Sequence, residues 1–366
     1  MVVVELVPPP REVARLARLR YTCDEESGIR RVARGRQVVF VDGKGRVLRD
    51  SVQLKRIAAL GIPPAWTDVW ICQDPRGHLQ VTGRDARGRK QYIYHADWHL
   101  HTSRSKFSKL RSFGQALPKL RDEVRRQLKL PGLDRRKVVA AVIALLDGTL
   151  IRVGNEEYAR SNGSYGLTTL RDRHADIDGQ VIRLRFKGKS GKLRQVDFYD
   201  KRLARIVREC QELPGQQLFQ YADETGRLHR VESSDVNRYL RKWTGFPFTA
   251  KDFRTWKATA LVLEKLSQAA IEPLSATATK SHLMQAYREA AEALGNTVSV
   301  CRKYYVHPEI VEMFLQGRLA AACGRADNRG GTRLQLYERV LLRILKRLEP
   351  AARMHKPKAA LRLRSA

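Results

Sequence analysis

The residue pattern changes near position 100, and this change limits the folds that the chain can adopt. Before it, short apolar runs are separated by turn-forming pairs. The run 37–41, followed by the Asp42-Gly43 pair and a second run at 46–48, predicts a β-hairpin. After it, apolar residues recur at helical spacing over long segments such as 106–128. Strands and helices segregated in this way predict an α+β protein.

Further elements follow from the same patterns. In the first part we predict a short helix at 52–60 and a strand meander at 69–73, 79–83 and 91–94. In the second part three predicted strands interrupt the helices, at 166–170, 181–186 and 193–198. We therefore expect a small strand-rich domain over 1–100, a larger mainly helical domain over 101–350 with a small inserted β-sheet, and a basic tail over 351–366.

Charge restricts the partners. Seventy Lys and Arg against 38 Asp and Glu leave a formal charge of +32 on 366 residues. Self-repulsion of this size is typical of proteins that bind a polyanion, such as DNA, ribosomal RNA or an anionic membrane surface. No apolar stretch approaches the ~20 residues of a membrane span, and the apolar start 1–7 lacks the features of a secretion signal. We expect a cytoplasmic protein with no membrane partner.

Metal and nucleotide sites are not indicated. The five cysteines are scattered and form no C-x-x-C pair, so we expect reduced and mostly buried thiols. His95, Asp97, His99 and His101 are close in sequence, but we expect them in an extended hinge that scatters their side chains. The chain has no G-x-x-x-x-G-K-[ST] loop for nucleotide phosphates. We expect no metal and no cofactor.

Four separated segments carry candidate chemistry. They are L-I-R-V-G-N-E around Arg152, F-K-G-K-S-G-K around Lys189, K-D-F-R-T-W around Arg254, and the stretch from Asn296 to Tyr305 that continues into V-H-P. Each alone has an ordinary structural explanation, since charged and turn residues usually face solvent. Their common order and spacing favour a functional interpretation.

In that order the segments resemble those of the type IB DNA topoisomerases, and in particular the bacterial, poxvirus-like branch. That family is marked by an Arg in R-x-G-N-E, a Lys in a G-K hairpin, an Arg in K-D-x-R-T-W, and a His or Asn nine residues before a nucleophilic Tyr. The chain presents Arg152, Lys189, Arg254, Asn296 and Tyr305 in these places. The resemblance covers about residues 20–345. It implies strand cleavage through a 3′-phosphotyrosyl intermediate and religation, by a monomer that needs neither ATP nor metal.

The chemistry of these residue types agrees with the resemblance. Attack on a phosphodiester adds negative charge to the nonbridging oxygens, which the planar forks of Arg152 and Arg254 match. Tyr305 would act as the nucleophile, and Lys189 would protonate the leaving 5′-oxygen. Many relatives have His where Asn296 stands. Asn can only donate a hydrogen bond to a phosphate oxygen, so its expected role is narrower.

Further residues are candidates for DNA contacts. The segment T-G-R-D-x-x-G-R-K-Q-Y-I-Y at 82–94 resembles the strands with which that family clamps duplex DNA. The candidates are Arg84, Gln91, Tyr92, Tyr94, and the two lysines of the later turn, Lys187 and Lys192. Tyr92 and Tyr94 alternate on one strand face, so they either contact DNA or pack in the core. Lys187 and Lys192 are also alternatives to Lys189 as the acid.

The nine-residue spacing has a structural consequence. Along an unbroken helix, Asn296 and Tyr305 would face opposite ways, because each residue rotates by ~100°. Gly295 and Thr297 have the residue types of a helix stop and a new N-cap. We therefore predict a break that lets the two side chains converge.

Two other interpretations stay open at this point. Tyrosine recombinases share the Arg, Lys, Arg and Tyr chemistry, but they resemble H-x-x-R at the third motif, where this chain has no histidine before Arg254. A non-enzymatic nucleoid-binding protein would need only the charge. Both alternatives also bind double-stranded DNA.

Overall fold

A computed structural model describes residues 10–34, 37–86, 88–270, 275–324 and 332–348, without the side chains of 34, 99–106, 108 and 190. Arg87, which neighbours the predicted DNA-contacting residues, and the predicted tail 351–366 lie outside the described residues. The chain divides into two compact units, Met1–Lys109 and Leu110–Ala366. The predicted boundary at residue 100 stays a prediction.

The first unit is built on a five-stranded antiparallel sheet in the order β2-β1-β3-β4-β5. Its elements are α1 (Pro10–Leu16), β1 (Ile29–Arg34), β2 (Gln37–Val41), α2 (Ser51–Ala59), β3 (Thr67–Ile71), β4 (Leu79–Arg84) and β5 (Lys90–Tyr94). Asp50 starts α2 by accepting the N–H of Val52 at 2.8 Å. Ile57 of this helix packs with Val69, Ile71 and Val81 in the core of the unit.

The long helix α3 (Ala96–Gln127) begins in the first unit and ends in the second. The second unit is mainly helical. Its helices are α4 (Arg135–Thr149), α5 (Glu156–Asn162), α6 (Lys201–Gln211), α7 (Ser233–Thr244), α8 (Ala250–Ala269), α9 (Ala276–Leu294), α10 (Val298–Tyr304), α11 (Pro308–Leu315), α12 (Leu319–Cys323) and α13 (Arg333–Leu348). Its strands are β6 (Ala175–Asp178), β7 (Val181–Lys187), β8 (Leu193–Tyr199), β9 (Gln220–Ala222) and β10 (Leu228–Arg230).

Helices α4 and α8 form the centre of the second unit. Both are buried around most of their circumference, as expected for helices that other elements surround. The ring of Phe113 from α3 packs edge-on against Phe253 and Trp256 of α8. The inserted sheet β6-β7-β8 is antiparallel and lies in this unit. The α+β fold class, with its strand-rich first part and inserted sheet, is thus confirmed.

Two local strand predictions need correction. The predicted turn after β2 forms, and the N–H of Leu48 donates to the carbonyl of Phe40 at 2.8 Å, but the run 46–48 adds only the bridge Val41↔Val47, and the strand that pairs with β2 in the sheet is β1. Residues Leu167–Thr169 form a 3-10 turn rather than a strand, because the Thr169 hydroxyl accepts the N–H of Gly166 at 2.9 Å. Four strands of the described residues were also not predicted, namely β1, β6, β9 and β10.

The predicted extended hinge at 95–101 was also wrong. Helix α3 begins at Ala96, and the ring of His95 accepts the N–H of Asp97 at 3.1 Å. This contact satisfies an N–H donor in the first turn of the helix. The H-x-H alternation covers too few residues to show that a helix begins here.

Candidate active site

Arg254 lies in the first turns of α8 and joins the ends of two other helices. The start of α8 is fixed by Asp252, which accepts the N–H of Thr249 at 2.7 Å. Arg254 is only 3% exposed. Its guanidinium donates to the carbonyl of Leu150 and, at 2.8 Å, to that of Leu294. Its Nε is buried with no partner among the described residues.

The end of α4 brings Arg152 into the same place. Leu150, the C-cap of α4, has a left-handed backbone with φ 57, and this turns the chain toward Arg254. Two residues later, Arg152 donates to the side-chain oxygen of Asn296 and lies 3.5 Å from the carbonyl of Gly295. The amide Nδ2 of Asn296 is buried without a partner in the described part of the chain. Nε of Arg254 and Nδ2 of Asn296 are therefore two donors that remain for a ligand.

The predicted helix break is confirmed. Helix α9 ends at Leu294, Gly295 follows with φ 60, and Thr297 caps α10 by accepting the N–H of Val300 at 3.3 Å. A positive φ favours glycine at this position. Asn296 lies in the break, and Tyr305 lies at the far end of α10.

Lys189 lies in the turn between β7 and β8, in the 3-10 segment Lys189–Gly191. It lines a cleft together with Arg152, Arg194 and Arg254. The glycine that requires a special conformation is Gly191, with φ 76, whereas Gly188 has an ordinary φ of −88. Of the two glycines beside Lys189 and Ser190, it is therefore Gly191, and not Gly188, that the backbone of the turn requires. Lys187 and Lys192 are exposed on either side of the turn.

Arg194 was missed by the sequence interpretation. It lies opposite Phe186 in the hairpin and donates to the carbonyls of Glu292 at 2.9 Å and Ala293 at 3.0 Å. These bonds attach the turn that carries Lys189 to the end of α9. The only sequence signal for Arg194 was the register of the hairpin, which, counted outward from the turn, places this residue beside the turn and opposite Phe186.

Tyr305, rather than Tyr304, faces the arginines. The guanidinium carbon of Arg254 lies 5.3 Å from the centre of the Tyr305 ring, whereas Tyr304 is 39% exposed beside Lys303. The main chain around Tyr305 is held by α8. The Thr259 hydroxyl accepts the N–H of His307 at 3.2 Å and lies 3.1 Å from the Tyr305 carbonyl oxygen.

The charges of the cleft favour an ionised phenol. Burial raises the pKa of Tyr305, but the positive charges of Arg254, Arg152 and Lys251 outweigh it, so the pKa lies below its usual value. Burial, together with the charge of Arg152, lowers the pKa of Arg254 to about 10. Burial also lowers the pKa of Arg152. Positive charge is thus concentrated where a phosphate would need it.

The three arginines of the cleft have neutral partners. They donate to backbone carbonyls, to the amide oxygen of Asn296 and, from Arg254, to the phenol of Tyr305. None of the salt bridges found among the described residues includes one of them, although burial lowers the pKa of Arg194 and the charge of Glu292 acts against that effect to raise it. A partly buried group of cations with so little compensation is suited to bind an anion.

The predicted DNA-contacting residues of the first unit are only partly on one surface. Tyr92 is 48% exposed and stacks with Tyr94 at 6.0 Å, while Tyr94 packs against the core group of Trp70 and Leu79. Gln91 lies on the opposite face of β5 and donates to Asp85 at 2.9 Å.

Arg84, the fourth of these residues, is also engaged within the first unit. It donates to the carbonyl of Gly88 at 3.0 Å and lies 3.6 Å from the carboxylate of Asp68. Its side chain remains half exposed, so the ion pair leaves part of the guanidinium open to a phosphate.

Within the described residues, no group of three or more His, Cys, Asp or Glu side chains is placed to hold a metal ion. The side chains of His99 and His101 are not described. Of the described helices, none has the length and apolar character needed to span a bilayer.

Comparisons with known proteins bear on the family of the chain. The family described as eukaryotic DNA topoisomerase I, catalytic core, matches residues 95–321, and the bacterial DNA topoisomerase IB N-terminal domain matches residues 37–85. The DNA topoisomerase 1B of Acanthamoeba polyphaga mimivirus is 35% identical over 271 residues, which cover 71% of this chain and 80% of that protein. The DNA topoisomerase 1B of Vaccinia virus (strain Copenhagen) is 22% identical over 260 residues, 69% of this chain and 79% of that protein.

The fold and these matches define an isomerase that acts on DNA topology and binds DNA. Within that class, the chain belongs to the type IB DNA topoisomerase family. The resemblance found in the sequence is thus confirmed.

Proposed function

We propose that this topoisomerase relaxes supercoiled duplex DNA by cleaving one strand through Tyr305, allowing rotation, and resealing the strand. It would act as a monomer in the cytoplasm, on the nucleoid, without ATP or metal. The observation that carries this proposal is the group of three arginines, held by neutral oxygens, beside a phenol whose pKa Arg152 and Arg254 lower.

In the proposed cleavage step, the Tyr305 phenol gives its proton to solvent water, its oxygen bonds to phosphorus, and the bond from phosphorus to the 5′-oxygen breaks. Arg152, Arg254 and the free amide N–H of Asn296 stabilise the charge on the nonbridging oxygens, each by about 3–4 kcal/mol. Lys189 gives a proton to the 5′-oxygen, which leaves as a hydroxyl. The 3′-phosphotyrosyl ester retains the bond energy, so religation reverses the same steps.

The remaining candidates would hold the duplex. Lys187 and Lys192 are exposed beside Lys189, where they can contact phosphates on either side of the cleaved bond. Arg84 and the exposed Tyr92 supply a cation and an aromatic surface on the first unit. Contacts of this kind set affinity and its salt dependence more than the rate of cleavage.

A plasmid assay with EDTA and without ATP tests the proposal. The chain is expected to convert supercoiled DNA into a ladder of topoisomers, and denaturant added during the reaction is expected to trap an adduct on Tyr305. Tyr305→Phe should retain DNA affinity but lose relaxation and adduct, because only the nucleophilic oxygen is removed. Tyr304→Phe is the matched control and should remain active.

Other outcomes would exclude the proposal. An adduct that maps to Tyr304 would show that the nucleophile is assigned wrongly. Strand exchange between two duplexes would indicate a recombinase. Tight binding with neither adduct nor relaxation would indicate a non-enzymatic nucleoid protein.

A further inference from the structure

A second group of charged residues lies near the cleft but has no part in the proposed chemistry. Arg121, Asp147, Lys257 and Glu338 form what we call the four-charge cluster. Arg121 contacts Asp147 and Glu338, both at 2.7 Å, and Lys257 contacts the same two carboxylates at 3.2 and 3.5 Å. Their side chains are at most 20% exposed.

The four-charge cluster joins the elements that carry the catalytic arginines. Lys257 lies one helical turn beyond Arg254 on α8, on the same rigid element. Asp147 lies in the last turn of α4, just before Leu150, whose carbonyl accepts from Arg254. A change in the four-charge cluster would therefore alter the positions of both helix ends that define the cleft.

Glu338 adds a helix that lies beyond the matched catalytic core. It belongs to α13, whereas the family match ends at residue 321. Helix α13 packs along α8, and Glu338 is among its buried residues. Arg121 supplies a bond from α3 to this carboxylate at 2.7 Å. Four helices, α3, α4, α8 and α13, thus meet in one set of ion pairs.

Stability alone is a weak reason for such an arrangement. Removing charges from water costs several kcal/mol per ion, so well-packed apolar residues of the same size often stabilise a core more. The four-charge cluster is balanced, with two cations and two anions, and its members satisfy each other in fixed directions. Ion pairs of this kind define a geometry because each misplaced charge is costly.

We propose that the four-charge cluster sets the relative positions of Arg152 and Arg254, so that Lys257 and Glu338 are positioning residues for cleavage. This inference rests on the proposed function of the cleft. Neither residue is expected to touch DNA. Their effect passes through α8 and the end of α4, because a displacement of about 1 Å in a reacting group can cost ~10²-fold in rate.

The test compares two buried lysines. Lys257→Met removes one cation of the four-charge cluster, and Lys137→Met removes a lysine that is equally buried and pairs with Glu209 at 3.4 Å near the start of α4. At saturating DNA, single-turnover cleavage is expected to fall roughly 10- to 100-fold in Lys257→Met and to stay near wild type in Lys137→Met. DNA affinity should be unchanged in both. Equal cleavage rates in the two variants would overturn the inference.

A double variant separates positioning from loss of stability. Lys257→Met with Glu338→Gln leaves Arg121 and Asp147 as a balanced pair, whereas each single change leaves a surplus charge. The double variant should therefore cleave faster than either single variant. Additive losses would show that the charges act independently and would contradict the proposal.

A measurement without DNA tests the positioning role of the four-charge cluster independently of whether the proposed function is correct. The titration of Tyr305 can be followed by phenolate absorbance. For each variant, the absorbance of the same variant carrying Tyr305→Phe is subtracted, and the difference belongs to Tyr305. The titration should move to higher pH in Lys257→Met, because a displaced Arg254 lowers the phenol's pKa less, and should not move in Lys137→Met. An unchanged titration would overturn the inference even if the chain relaxes DNA, and a shifted one would support it even if the chain does not.

Discussion

The cleft and the four-charge cluster are both groups of partly buried cations, and α8 contributes one cation to each, yet their partners differ. In the cleft, Arg152, Arg194 and Arg254 are held by neutral carbonyl and amide oxygens. In the four-charge cluster, Arg121 and Lys257 are held by two carboxylates.

This difference separates charges that can act on a ligand from charges that shape the protein. A carboxylate partner cancels the field of a cation, whereas a carbonyl orients the guanidinium and leaves its net charge available. The cleft thus keeps a positive potential for the scissile phosphate. The four-charge cluster produces little electrostatic potential for a ligand, because its charges cancel, but it fixes the positions of the helices.

The largest effect is expected at Lys189, the exposed cation of the cleft. Lys189→Ala should cleave an ordinary strand roughly 10²–10⁴-fold more slowly, because the leaving 5′-oxygen loses its proton donor. A strand with sulfur at the 5′-bridging position should restore the rate, since a thiol with a pKa of ~8.5 leaves without protonation. Lys187→Ala is the control in the same turn. Rescue of Lys187→Ala by sulfur, without rescue of Lys189→Ala, would assign the acid to the earlier lysine.

A single atom exchange can make the cleft resemble the four-charge cluster. Asn296→Asp would place a carboxylate against Arg152 and remove the amide donor, so cleavage at saturating DNA should fall roughly 10²–10³-fold. Thermal stability should not fall, because the new ion pair replaces a neutral contact. Asn296→Ala removes the donor without adding charge and should lose less activity. If the two variants cleave equally slowly, the uncompensated charge of the cleft has no catalytic importance.

A smaller effect is expected from Lys251, which lies outside the cleft but lowers the pKa of Tyr305 through its charge. Without this charge the phenol's pKa rises, so the pH profile of single-turnover cleavage in Lys251→Met should shift to higher pH. At neutral pH the rate should be a few-fold lower, since ~1.4 kcal/mol corresponds to a tenfold change. Lys251→Arg keeps the charge and should keep the profile. A shifted profile in both variants would point to a loss of packing instead.

Much of the candidate site could be predicted because its signals are local. The order of Arg152, Lys189, Arg254, Asn296 and Tyr305 indicated one site, and the structure brings the motif residues together around one cleft. Gly295 and Thr297 predicted the break between α9 and α10, because a left-handed cap and an N-cap depend on single residue types.

The unpredicted features depend on distant parts of the chain. Arg194 belongs to the cleft only because the hairpin meets the end of α9, and nothing near it in sequence indicates that contact. Lys257 and Glu338 look like surface charges of amphipathic helices until the packing of α8 on α13 buries them. Likewise, the H-x-H alternation at 99–101 was compatible with an extended segment until the helix α3 was seen to begin at Ala96.

The contacts of Thr259 with the carbonyl of Tyr305 and with the N–H of His307 also have a mechanical consequence. While the proposed covalent intermediate persists, any pull from the rotating duplex enters the protein at one phenolic oxygen. Helix α10 has only seven residues and could not resist such a load alone. The hydroxyl of Thr259 passes the force directly into α8, a helix of 20 residues that is buried along most of its length. Tyr305, which would hold the cleaved strand, and Arg254 then move together under torque, and the broken ends stay aligned for resealing.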